Sequence, residues 1–249
     1  MAGRTGGALG KRRLGETGPA APASTSGVAR RRRSILERLA AEYADTTTAL
    51  RFADTFQLLI AVMLSAQTTD ARVNRITPAL FADFPTAQAF AAASPERLSP
   101  YIASCGLYVT KSKNIVAAAR IIVERYGGQV PRTLEELTAL PGVGRKTANV
   151  LLSVAFGVDA IAVDTHVFRV ANRLGLARAK TPQEAERQLM RTIPQKWWSS
   201  AHHWLIHHGR AVCVARNPRC ACCVVDDLCP SAKRFLRLYA RRSSGRSAG

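Results

Sequence analysis

The 249-residue chain has no long apolar run. Its most apolar stretch, Phe56–Ser65, is ten residues, well short of the roughly 20 that a membrane-spanning helix needs. No membrane association is expected. No apolar signal-peptide core stands near the N-terminus. A disulfide framework is therefore not expected, and the six cysteines read as reduced thiols. Strict apolar–polar alternation is nearly absent, which argues against half-buried strands. Acids are scarce as well: 17 Asp and Glu stand against 36 Lys and Arg, a formal charge of +19.

That excess is unevenly spread. Residues 1–33 carry a net +7, residues 232–249 a net +6, and the body 34–231 the remaining +6. The body is basic without its ends, which favours a polyanionic partner. Residues 1–33 hold seven glycines, two prolines and no aromatic side chain, too little to bury a core. Both 1–33 and 233–249 are read as basic tails, the first disordered, with the run Arg30–Arg33 adding unspecific phosphate affinity. The first segment is also Arg-rich and acid-poor, like a transit peptide. Its glycines and prolines argue against an amphipathic helix, so organellar targeting is the lesser alternative to a cytoplasmic, nucleoid-associated location. A monomer is expected.

What is present is helical periodicity almost throughout. It predicts helices over Ile35–Tyr43, Phe56–Ser65, Ala71–Phe81, Ala87–Ala93, Pro95–Ile102, Lys111–Tyr126, Pro182–Met190 and Trp197–His208. Gly, Pro and Thr-Asp junctions part them. The fold class is all-α.

Residues 140–146 read Leu-Pro-Gly-Val-Gly-Arg-Lys. Thr133 and Glu136 have capping-box spacing before Leu134, Leu137 and Leu140. Pro141 and Gly142 stop that helix, Gly144 permits a tight turn, and Arg145–Phe156 reads as a second helix closed by Gly157. The bare amides at its start form an anion site, with phosphate the natural occupant. Eighteen residues after Lys146 comes Asp164, at the expected N-cap of an apolar helix over Val167–Leu174, where backbone amides favour an ionised carboxylate. Lys146 is a candidate nucleophile or a plain phosphate ligand. As a nucleophile it must be neutral. The helix dipole, burial in a cleft and the neighbouring Arg145 are each expected to push it that way.

Five cysteines fall between 213 and 229. Cys213, Cys220, Cys223 and Cys229 have the spacing C-x6-C-x2-C-x5-C. Four thiolates suit an iron–sulfur cluster or a tetrahedral zinc, and spacing alone leaves both open. Cys222 and Cys105 are read as non-ligands, Cys105 as a small buried hydrophobe. His202, His203, His207 and His208 look like metal ligands, but their helical setting beside Trp204, Leu205 and Ile206 favours packing.

With these pieces in place the chain resembles the endonuclease III family of helix–hairpin–helix DNA glycosylases, over roughly residues 34–232. The resemblance rests on Leu64-Ser65-Ala66-Gln67-Thr68-Thr69-Asp70, on Gly106-Leu107-Tyr108 and on Leu140–Lys146 with Thr147-Ala148-Asn149-Val150. It extends to Val163-Asp164-Thr165-His166, His202-His203-Trp204-Leu205 and the four-cysteine loop. It implies a six-helix bundle over about 48–158 carrying the hairpin. It implies a second helical domain, from 34–47 plus 159–232, holding one [4Fe-4S] cluster on Cys213, Cys220, Cys223 and Cys229. The active site would lie between the domains, with Lys146 as nucleophile and Asp164 as its carboxylate partner. The partner would be damaged double-stranded DNA. Gly142, Gly144 and Arg145 would hold phosphate, as would Arg216 and Arg219 in the first cysteine loop. Gln67 and Leu107 would enter the duplex where the target base leaves the stack, the first as a hydrogen-bonding group and the second as an apolar wedge. The implied activity is removal of oxidised pyrimidines through a lysine Schiff base, followed by β-elimination at the abasic site.

Two alternatives are weighed against this. Adenine mismatch glycosylases share the hairpin, aspartate and cysteine spacing. They usually lack the hairpin lysine and carry a catalytic glutamate at a position that here looks to be Ala61. A non-catalytic hairpin module with a structural metal is disfavoured by the pairing of Lys146 with Asp164 at family spacing.

Overall fold

The computed structural model of the chain describes residues 23–244. Among the described residues there are twelve α-helices and two 3-10 turns, and no strand. The helices are α1 (Ala23–Glu42), α2 (Thr55–Ser65), α3 (Asp70–Asp83), α4 (Ala87–Ala92), α5 (Pro95–Ile102) and α6 (Tyr108–Tyr126). They continue as α7 (Leu134–Thr138), α8 (Arg145–Phe156), α9 (Thr165–Leu174), α10 (Pro182–Thr192), α11 (Trp198–Ala211) and α12 (Ala232–Ser244).

The helix starts follow from local chemistry. Asp54, Thr69, Thr86, Ser94, Thr133, Asp164 and Thr181 each cap a helix, their side chains accepting from an amide of the first turn. Each such cap contributes about 1 kcal/mol. At Thr133 the capping box takes a variant form. The hydroxyl accepts from the Glu136 amide at 3.2 Å, and the Glu136 carboxylate accepts from that hydroxyl at 2.6 Å rather than reaching the cap's own amide. Gly127, Gly157 and Gly175 end helices in the left-handed conformation.

Apolar burial divides the chain into two clusters. The first gathers Leu50 to Ala160 around α2, whose residues Leu58 to Leu64 are all buried, as expected of a helix apolar on every side. The second joins Ile35, Leu36 and Leu39 of α1 to side chains from Ile161 to Val225.

The N-terminal expectation is corrected. The chain is helical from Ala23, so the stretch read as a disordered tail through residue 33 is ordered over its last third; residues 1–22 lie outside the described residues. The basic run is tied down as well. Arg31 donates to the carbonyls of Leu174 and Leu228 at 3.0 Å, Arg32 to that of Gly175 at 2.9 Å, and Arg33 pairs with Glu37. Farther along α1, Arg38 binds Asp227. Arg31, Arg32 and Arg38 thus tie α1 to the second half of the chain. The C-terminal segment is also helical, through Ser244, with Arg173 stacked on Phe235 at 4.8 Å.

A truncation distinguishes the two halves of the N-terminal segment. Removing residues 1–22 should reduce the salt dependence of duplex binding and leave thermal stability unchanged. Removing 1–33 should also lower the melting temperature, by about 5 °C or more, because it cuts the Arg31 and Arg32 links. Calorimetry on the two truncations checks this; equal melting temperatures would contradict it.

Candidate active site

The hairpin between α7 and α8 is built on one constrained glycine. Gly142 has φ +77°, and a Cβ there would stand 2.9 Å from Asn114 and 3.0 Å from Met63. Conformation and space both require glycine. Gly144 differs from expectation. Its φ is −84°, and a Cβ there would meet no protein atom within 4 Å. No clash within the protein demands glycine; its bareness matters only for what approaches from outside. Gly144 caps α8 without a side-chain hydrogen bond. Most other helix starts are capped by a side chain; at α8 no side chain caps the first-turn amides, which leaves them to an anion.

Lys146 is the second residue of α8, and Asp164 caps α9, accepting from the Val167 amide at 2.8 Å. Both line a cavity of about 80 Å³ with Thr48, Ser65, Asp70, His203, His207 and Arg210. Both also line an adjoining groove of about 980 Å³, which includes Gln67, His166 and Phe168. The cleft draws its walls from both apolar clusters. Across it, Arg210 of α11 pairs with Asp70 of α3 at 3.1 Å.

Two of the influences expected to favour a neutral Lys146 are not provided by the protein. Lys146 is exposed rather than buried. Arg145 does not stand free beside it: its guanidinium makes three hydrogen bonds of 2.7–3.0 Å to Glu186 of α10. Glu186 is buried, and both its carboxylate oxygens accept from this arginine. The pair braces α8 against α10. The helix dipole at the start of α8 remains.

Gln67 and Leu107 share an uncommon feature. Both are non-glycine residues with left-handed backbone, φ +58° and +59°, and such strain gathers at functional positions. Leu107 is 62% exposed and caps α6 with no side-chain bond. Its turn adjoins that of Gln67: a Cβ on Gly106 would lie 3.9 Å from the Gln67 carbonyl oxygen.

Cys213, Cys220, Cys223 and Cys229 line one cavity. Cys222 is exposed, its sulfur directed to the Arg219 carbonyl, and Cys105 is buried in the first cluster. Burial pushes the Cys223 thiol up to about 11 and raises Cys220 and Cys229 as well. Thiolates in this setting need a compensating cation. Among the described residues no three His, Cys, Asp or Glu side chains are grouped so that they could hold a metal ion. As a donor set, four cysteine thiolates suit either an iron–sulfur cluster or a tetrahedral zinc. Arg173 organises the first cysteine loop by donating to the carbonyls of Val214 and Ala215. Arg216 and Arg219 stand exposed on that loop.

One participant, Lys111, carries no mark in the sequence. Lys111 is buried and donates to Leu64, Ala66 and Thr68; burial draws its ammonium below the ordinary lysine value. The histidines divide. His202, His203 and His207 line the cleft, while His208 is fully buried, with Tyr43 at 3.1 Å from Nδ1 and the Cys223 sulfur at 3.5 Å from Nε2.

His202 offers a test in pH. Burial, aided by His203, pushes it down to about 4, so it is neutral at pH 7 and its Nδ1–H donates to the Ala162 carbonyl at 2.7 Å. Its folded pKa lies below its unfolded one, so the unfolded chain binds the extra proton between these values. The stability is present above about pH 6.5 and is lost as pH falls toward 4. Between pH 7 and pH 4 the wild type should lose up to about 3 kcal/mol more than His202→Gln. A pH-independent difference in unfolding free energy would contradict this.

Residues 60–195 match the family described as HhH-GPD superfamily base excision DNA repair protein. The chain is 47% identical over 199 residues to endonuclease III of Escherichia coli (strain K12), covering 80% of this chain and 94% of that protein. It is 52% identical over 180 residues to endonuclease III of Bacillus subtilis (strain 168), covering 72% and 82%. A solved non-covalent endonuclease III–DNA complex superposes with a TM-score of 0.81 at 45% identity, covering 84% of this chain and 98% of that one. With a helix–hairpin–helix beside a two-sided cleft and relatives of this kind along most of its length, the chain belongs to the HhH-GPD superfamily of base excision DNA repair proteins, within its endonuclease III family.

Proposed function

We propose that the protein is a bifunctional DNA glycosylase and AP lyase that removes oxidised pyrimidines such as thymine glycol, with Lys146 as nucleophile and Asp164 as its partner. The observation that carries the reading is the shared cleft: an amine from α8 and a carboxylate from α9 line one cavity between two apolar clusters. Each cluster is taken as the core of one domain, 48–158 and 34–47 plus 159–232.

Duplex DNA lies across the cleft and the hairpin beside it. Phosphates take the bare amides of α8, near Gly142 and Gly144, and meet Arg216 and Arg219. Arg145 contributes by bracing the hairpin on Glu186. The target nucleotide turns out of the stack into the cleft. Gln67 and Leu107 fill the gap, one bonding the widowed base and the other wedging the step. Attack requires the free amine of Lys146. The neutral Nζ attacks C1′, and the C1′–N bond breaks with its electron pair leaving on the base, which takes a proton. The Asp164 carboxylate, at the α9 cap, offsets the positive charge that develops on the sugar. Ring opening gives an iminium. Loss of a C2′ proton expels the 3′ phosphate, and water then releases the amine.

Cys213, Cys220, Cys223 and Cys229 hold one [4Fe-4S] cluster. Bound there, such a cluster would supply a rigid cross-link to the loop that carries Arg216 and Arg219. Among the described residues no helix is long and apolar enough to cross a membrane. A monomer working in the cytoplasm at the nucleoid is proposed.

The test is incubation with duplexes holding thymine glycol, 8-oxoguanine, or adenine opposite 8-oxoguanine, followed by separation of cleaved strands. Cleavage at thymine glycol is expected. Preference for adenine opposite 8-oxoguanine would assign the mismatch-glycosylase reading instead.

A further inference from the structure

Lys111 is 7% exposed, and its acceptors are three neutral oxygens: the Leu64 carbonyl at 2.8 Å, the Ala66 carbonyl at 2.6 Å and the Thr68 hydroxyl at 3.1 Å. An ammonium has three protons, and here each finds one oxygen. The oxygens span the end of α2 and the turn after it, where helix carbonyls lack partners and the dipole is negative. Gln67 lies inside that span, in left-handed backbone. Lys111 is also one helical turn from Leu107, its amide donating to the Leu107 carbonyl at 2.9 Å. One buried side chain thus joins the two strained turns. A core position needs no charge, and burying an ammonium is costly unless its bonds do something an apolar side chain cannot. Strained backbone persists only where its surroundings over-determine it.

We propose that Lys111 is the positioning residue that locks the Gln67 turn against the Leu107 turn, so that both side chains meet the base step as one unit. This rests on the reading that Gln67 and Leu107 enter the duplex. Without the lock, the Gln67 turn relaxes toward ordinary backbone and the extruded nucleotide loses its replacement in the stack. Lys111 touches no substrate; it acts through Gln67.

The test is a mutant cycle on the full chain with a thymine glycol duplex, reading kcat and KM. Lys111→Met keeps the volume of the stem and removes the three bonds. It should lower kcat/KM by about ten- to a hundredfold, the scale of a misplacement near 1 Å. Lys111→Arg, which can reach the same carbonyls, should restore most of the loss. Combined with Gln67→Ala, Lys111→Met should add less than about twofold, since both remove the same insertion. A purely structural lysine would give losses that multiply, and that result, or full activity in Lys111→Met, overturns the proposal. Should Lys111→Met not fold, Thr68→Val removes only the third oxygen and carries the same cycle with the same two outcomes. If Gln67→Ala and Leu107→Ala both turn over normally, duplex entry itself is wrong and the proposal falls with it, a failure told apart by those two single variants.

Discussion

Replacing Lys146 with alanine is expected to abolish base release and strand cleavage while leaving duplex affinity within about tenfold, since a nucleophile acts in the transition state more than in binding. Lys146 is the lysine common to the cavity and the groove that Asp164 also lines. Loss of a nucleophile costs on the order of 10⁴-fold or more in rate. Phosphate binding should persist, because the bare amides of α8 and the arginines of the cysteine loop are untouched. Single-turnover cleavage and equilibrium binding, measured on the same duplex, check this. Normal cleavage by the variant would remove the covalent route.

The second large effect is expected at the cysteine loop. Serine at Cys213, Cys220, Cys223 or Cys229 should cost the metal and with it much of the folded second cluster. A structural metal site contributes about 10 kcal/mol or more of binding free energy, comparable with the whole stability of a domain. Cys213, Cys223 and Cys229 also pack directly on that cluster, so the damage should spread to α9 and α11. Cys222→Ser should leave metal content unchanged, because its sulfur faces outward to the Arg219 carbonyl. Iron and sulfide analysis, expected at about four of each per chain for a cuboidal four-cysteine site, decides the point. A colourless protein with one zinc would contradict it.

The helical class was legible because apolar residues recur at helical spacing and because Thr, Ser and Asp caps mark the starts. Pro95–Ile102 and Arg145–Phe156 fall where periodicity and caps put them. The start of α1 was not legible. Ala23 to Arg33 is polar and glycine-bearing, and it is held by arginine bonds to carbonyls 143 and 197 residues away. Local sequence carries no trace of such partners. The same holds at the site. Lys146 and Asp164 announce themselves by motif. The pairing of Arg145 with Glu186 spans 41 residues, that of Arg210 with Asp70 spans 140, and the reach of Lys111 to Leu64 spans 47. Glu186 lies on an amphipathic helix and reads there as an ordinary surface acid. Gly144 reads like Gly142 in sequence, yet only Gly142 is constrained by its own protein. The left-handed turns at Gln67 and Leu107 are invisible to propensity, which assigns neither residue to that region.

The most direct measurement is borohydride trapping on a thymine glycol duplex, followed by peptide mapping of the adduct. Reduction of the iminium should fix the sugar to Lys146 Nζ, in the peptide that follows Arg145, and Lys146→Ala should give no adduct. An adduct mapped to another amine, or cleavage that proceeds with none trapped, would contradict Lys146 as the nucleophile.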